Sequence, residues 1–141
     1  MSTRGAAALA LLLASCGEYT TTSPAPDISG SWRYSQVVQG GGTTCGDGGT
    51  LTITQNGERL SGSLTGRGGC QSQSVAIDYL RQDALLNGEI ARSAVAFEAG
   101  ACRYQGTAVG NPVTQAGGSA TCSNLASTGL VVSGSWELLR P

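Results

Sequence analysis

Five cysteines and no histidine bound the chemistry open to this chain of 141 residues. Without an imidazole, the commonest general base and a common metal ligand are missing. Serine is plentiful, but no Ser stands in a Gly-x-Ser-x-Gly turn and no His could activate one. Asp78, Asp83, Glu89 and Glu98 could supply a carboxylate pair for acid–base work. They fall near turns or on outward strand positions, so solvated surface is the expectation for all four. Gly40-Gly41-Gly42 lacks the Lys and the following helix of a phosphate cradle. Cys-x2-Cys is absent, so no zinc site is expected. Eight Arg, no Lys and nine acidic residues form no basic patch, which argues against nucleic acid as a partner. The expectation is a protein without catalysis, metal or cofactor.

The remaining chemistry lies in the cysteines, and the first belongs to an address. Met1–Arg4 form a short positive region, and Ala6–Leu13 an apolar run too short to span a bilayer. Leu13-Ala14-Ser15-Cys16 follows and resembles the lipobox of bacterial lipoprotein precursors. That resemblance covers the first 16 residues. It implies a signal peptide over residues 1–15, cleavage before Cys16, and acylation of Cys16 with palmitate-type chains. Several acyl chains anchor stably where one is marginal. Position 17 is Gly and not Asp, which by the same resemblance favours the outer membrane, facing the periplasm or the cell surface. The alternative is an ordinary secretory signal. Residues 16–28 then form the lipidated Cys and a tether. Its Gly-Glu-Tyr-Thr-Thr-Thr-Ser-Pro-Ala-Pro run has no apolar face.

The elements that would carry the rest lie in residues 29–141. The chain holds 22 Gly and only four Pro, few aromatics, and apolar residues at period two. That suits short strands joined by tight turns. The phrase Ser-Gly-Ser-Trp occurs twice, at 29–32 and 133–136. It predicts a first strand over 31–38, with Trp32, Tyr34, Gln36 and Val38 on one face. The same phrase opens into a last strand over 130–139, with Val132, Trp136 and Leu138 on one face. Thr50–Gln55 and Glu58–Thr65 flank Asn56-Gly57, a strong hairpin signal. With Asn56-Gly57 as the turn, Ile53 faces Leu60 and Leu51 faces Gly62. Ser74–Leu80 reads as a strand with Val75, Ile77 and Tyr79 together, or as a short helix. Beyond Ala84 the preferred register turns at Ala91-Arg92 and sets Leu86 against Phe97 and Gly88 against Val95. Cys102–Val109 is the next strand, with Tyr104 inward, and Asn111-Pro112 ends it.

The expected fold is all-β. It is a single up-and-down antiparallel β-barrel of about eight strands, closed where the first strand meets the last; a β-sandwich is the alternative. Closure hides both sheet edges. An eight-strand barrel is either filled by side chains or holds one small ligand. Interior positions include Leu51, Ile53, Leu60, Leu64, Leu86, Phe97, Tyr104 and Trp136.

Setting Cys16 aside leaves Cys45, Cys70, Cys102 and Cys122, an even number that predicts two disulfides in an exported chain. Three connectivities are possible. Cys45–Cys70 flanks the Asn56-Gly57 hairpin, and Cys102–Cys122 face each other across the Asn111-Pro112 turn, so that pairing is preferred.

Gly30-Ser31-Trp32 at the first strand resembles the Gly-x-Trp signature of the calycins, the lipocalins and avidins. The resemblance implies that Trp32 plugs one end and that Arg140, beyond Trp136 and Leu138, packs over it. A lipocalin's C-terminal helix and avidin's biotin-lining Trp residues are missing, so biotin binding is not implied. The chain is closer in style to small bacterial barrel lipoproteins, including peptidase inhibitors of the serralysin-inhibitor type. Two kinds of function remain. One is a membrane-anchored binding module for a small apolar or amphipathic ligand, contacting Trp32, Trp136, Arg140, Tyr104 or Phe97. The other is a structural or interaction lipoprotein with a packed barrel, meeting a protein partner. A hollow lumen would favour the first and a filled one the second.

Overall fold

The computed structural model describes residues 23–141. The expected signal peptide, Cys16 and the first part of the expected tether lie outside the described residues. Eight strands run β1 (Gly30–Gly40), β2 (Thr43–Asn56), β3 (Arg59–Gln71), β4 (Ala76–Ala91), β5 (Ala94–Ala99), β6 (Cys102–Val109), β7 (Gln115–Ser123) and β8 (Val131–Leu139). Each pairs antiparallel with the next, and β8 returns to β1, closing a barrel in strict chain order. A single 3-10 turn, Leu125–Ser127, lies between β7 and β8.

Period two explains the barrel. Along β1, Trp32, Tyr34, Gln36 and Val38 are buried while Arg33, Ser35 and Val37 face out. Successive side chains on a strand alternate faces, so one buried row per strand makes one lumen. The seam pairs Arg33 with Leu139, Gln36 with Trp136 and Gln39 with Ser133. Trp136 therefore sits level with Gln36, four positions along β1 from Trp32, and the two indoles fill different heights.

Two registers differ from the sequence reading. In the first hairpin Asn56 is itself paired, with Arg59, and the turn is Gly57-Glu58. Ile53 faces Gly62 and Leu51 faces Leu64. The expected and observed registers put the same apolar residues on the same face, so the pattern could not separate them. Backbone geometry does: φ is +63° at Gly57, and a two-residue turn with Gly first matches the strand twist. The second difference is in β4, which is one strand of 16 residues. It starts at Ala76, leaving Val75 outside. Its turn is Arg92-Ser93, with Ile90 facing Val95 and Leu86 facing Glu98. The pairing slips between Leu86 and Glu89, where Asn87 takes φ +50°. That bulge reverses the alternation. Leu86, expected inside, is 56% exposed, and Leu85 is buried in its place. A bulge leaves no mark in a period-two pattern.

The end of the tether is seated on the barrel. Ile28 is fully buried, and its amide donates to the Gln55 side chain at 2.8 Å.

Candidate functional site

The lumen is built in three levels. At the level where β1 begins, Trp32 is fully buried and its indole N–H donates to the Ile28 carbonyl at 2.9 Å. The Arg140 guanidinium carbon lies 3.8 Å from the Trp32 ring centroid. Arg140 also donates to the carbonyls of Ser29 at 2.9 Å and Val113 at 3.1 Å. The Val113 amide donates to the Asp27 carbonyl at 2.8 Å. The entering segment, the β6–β7 connection and the chain's end are thus tied across one mouth. The cation is satisfied by carbonyls and a ring face, an arrangement of closure.

The middle level is aromatic. Phe97 and Tyr104 stack at 4.6 Å, and Trp136 meets them edge-on at 5.3 and 5.9 Å. The Trp136 indole N–H donates to the Gln105 carbonyl at 3.1 Å. Four of the five residues put forward as closure or ligand contacts, Trp32, Phe97, Tyr104 and Trp136, therefore fill the lumen themselves. Arg140 lies on the rim.

The third level is a polar cluster that the sequence reading passed over. Asp47 accepts from Gln36 at 2.7 Å, from the Tyr79 hydroxyl at 2.6 Å and from Arg81 at 3.2 Å. Arg81 also pairs with Asp83 at 2.5 Å and donates to the Ala99 carbonyl at 3.1 Å and to the Tyr104 hydroxyl at 3.3 Å. Tyr34 and Tyr104 share a hydroxyl hydrogen bond of 2.9 Å. The Asp47 side chain is 0% exposed and that of Arg81 4%. Among the described residues no buried side-chain nitrogen or oxygen lacks a partner. Asp83 is thus half-buried in an ion pair and not solvated surface, while Asp78 and Glu89 are exposed as expected. Glu98 pairs at the surface with Arg103 at 3.0 Å. A signal for Arg81 existed: Tyr79, Arg81, Asp83 and Leu85 share one strand face. Asp47 was hidden because β2 begins at Thr43, seven residues before the expected start.

This cluster ties β1, β2, β4, β5 and β6 together across the lumen. Gln36, Tyr79 and Arg81 all donate to the Asp47 carboxylate, mostly to one of its oxygens. Burial pushes the Tyr34, Tyr79 and Tyr104 hydroxyls up, and for Tyr79 the hydrogen bond to Asp47 adds to it. These phenols stay neutral donors. The consequence is alkaline instability. A group with a raised folded pKa stabilises fully below its unfolded value, near pH 10, and that contribution is lost as pH climbs above it. Tyr34 and Tyr104 are each 1% exposed. Each is expected to steepen the loss by about 1.4 kcal/mol per pH unit above pH 10. Absorbance at the phenolate band during alkaline titration checks this: these tyrosines ionise together with unfolding, and gradual ionisation of the folded protein would refute it.

Both preferred disulfides are present. Cys45–Cys70 joins β2 to β3 and Cys102–Cys122 joins β6 to β7, with Cα atoms 4.0 Å apart in each. Both lie at the mouth opposite Trp32, and the Gln36 amide nitrogen is 3.8 Å from the sulfurs of both Cys102 and Cys122. Sequence separations of 25 and 20 residues give loops worth about 3 kcal/mol each in the loop-entropy model. Cys45→Ala/Cys70→Ala is expected to lose about that much in urea unfolding.

Outside the lumen, an open cleft of about 530 Å³ runs along β3 and β4, lined by Arg67, Gly68, Asp78, Tyr79 and Leu80. Among the described residues no group of three or more acidic or cysteine side chains could hold a metal ion. No protein-family model, no curated protein and no solved structure matches the chain.

Proposed function

We propose that this chain is a lipid-anchored, non-catalytic protein of the cell envelope, whose barrel is a packed scaffold for contacts with a protein partner. One observation carries the reading. The ion pair of Arg81 and Asp47, with Tyr34, Tyr104 and Gln36 around it, occupies the space a lumenal ligand would need. An apolar ligand would have to displace a buried charge pair, leaving charges without partners at a cost of several kcal/mol. The calycin-like plug of Trp32 and Arg140 supports the same view, because it shuts the mouth where a tether from Cys16 arrives. With a tether there, the opposite mouth and its disulfides point away from the bilayer. Contacts then fall to outer walls and strand edges.

Two measurements test it. A fluorescent fatty acid titrated into the protein is expected to show no saturable binding and no quenching of Trp136. One-to-one binding that quenches Trp136 would establish the lumenal-ligand reading instead. Mass spectrometry of the mature N-terminus is expected to find acylated Cys16. An unmodified terminus elsewhere would remove the anchor.

A further inference from the structure

The barrel is closed, but not along its whole height. β4 has 16 residues and β5 only six. Their ladder covers Leu85 to Ala91 alone. On its other side β4 is paired with β3 from Glu89 back to Ala76. Residues 76–84 are therefore hydrogen-bonded on one side only, and no other backbone hydrogen bond among the described residues reaches them. The cause is local. β5 ends at Ala99 and turns at Gly100, whose φ is +56° and where a Cβ would stand 2.6 Å from an Asp83 oxygen. Arg81 takes the Ala99 carbonyl at the foot of the resulting notch.

A free strand edge recruits another strand unless it is guarded. The usual guards are Lys, Pro, bulges and inward charges. Residues 76–84 contain neither Lys nor Pro, the β4 bulge lies beyond them, and the 3-10 turn Leu125–Ser127 approaches β4 without a backbone hydrogen bond to it. The inward charges, Arg81 and Asp83, are engaged with each other and with Asp47. The outward row is Ala76, Asp78, Leu80, Gln82 and Ala84, and Leu80 is 72% exposed.

We propose that this edge pairs antiparallel with the same edge of a second copy of the chain, about a two-fold axis at Leu80. Such an axis places residue i opposite a residue on the same face, and a centre at Leu80 sets Leu80 against Leu80 of the other copy. Asp78 then meets Gln82, a carboxylate opposite an amide donor, and Ala76 meets Ala84. A centre at Asp78 would bring two carboxylates together, and centres at 79 or 81 would leave Leu80 against a polar or charged side chain. A centre at Gln82 would set Leu80 against Ala84, so the Leu80 centre is the one that joins the two exposed leucines, and a net charge of −1 puts little repulsion between copies. The axis inverts one barrel relative to the other, so the pairing joins copies that do not share one bilayer surface, and it stands whether or not the lumen takes a ligand.

Cross-linking of the full-length chain in detergent solution, where copies are free to invert, tests it. Leu80→Cys is expected to give a disulfide-linked homodimer on non-reducing gels, with about tenfold more of it than Val37→Cys, which is exposed on β1 away from the edge. Adding Gln82→Glu, which faces Asp78, is expected to reduce the dimer, and adding Gln82→Lys to increase it. Near-UV circular dichroism guards against misfolding, since Leu80 and Gln82 touch no core. Equal cross-linking at 37 and 80, or no opposite response to the two changes at 82, would overturn the proposal. So would a Leu80→Cys adduct to a different protein in place of the homodimer.

Discussion

Arg81→Met is expected to destabilise the protein by about 3–5 kcal/mol, the range for removing one partner of a buried ion pair. The side chain is 4% exposed and holds Asp47, Asp83, the Ala99 carbonyl and the Tyr104 hydroxyl at once. Its loss leaves the Asp47 carboxylate buried with only the neutral donors Gln36 and Tyr79. The cost is therefore mostly that of an uncompensated charge, not of a lost attraction. Arg81→Met combined with Asp47→Leu is expected to recover part of the stability, because it removes the stranded charge. Recovery stays incomplete, since Gln36 and Tyr79 then lack an acceptor. Urea unfolding of the two single variants and the double variant measures the coupling. Costs that simply add would show that the groups do not act as a unit.

That cluster also marks where the sequence stopped being legible. The barrel followed from rows such as Trp32, Tyr34, Gln36 and Val38, because burial of one face imposes period two. The disulfides followed because each pair flanks one hairpin, although the Asn56-Gly57 turn would set Cys45 against Gly68 and only the observed Gly57-Glu58 turn sets it against Cys70. Trp32 with Arg140 was legible from the Gly-x-Trp phrase and the chain's end. The β4 bulge was not, because one added residue changes no composition and only shifts which of Leu85 and Leu86 is inside. Arg81 and Asp47 were missed for a different reason. A charged residue on an inward face reads as an error in the pattern until its partner is placed, and Asp47 sits in a Gly-rich stretch that reads as a loop. Long-range pairing across 34 residues is what makes both positions tolerable.

Trp32→Ala is expected to cost about 3–5 kcal/mol, the usual range for truncating a large buried aromatic. Trp32 is 0% exposed and no other ring stands at its height, so the void cannot be refilled from Phe97, Tyr104 or Trp136. The effect reaches the entering segment too. Ile28 loses the indole donor on its carbonyl, and Arg140 loses the ring face beneath its guanidinium. Hydrogen exchange is therefore expected to rise at residues 27–30 as well as in β1. Arg140→Ala removes the same ring contact and two hydrogen bonds, but from a half-buried site that water can enter. Its expected cost is about 1–2 kcal/mol. The ratio between the two variants separates closure from recognition. A plug must show the large loss at Trp32 and the smaller one at Arg140 in unfolding, with no ligand needed to see either. Full thermal stability in both variants, with loss of binding to some ligand, would mean that this mouth is a binding site and that the barrel is closed by other contacts.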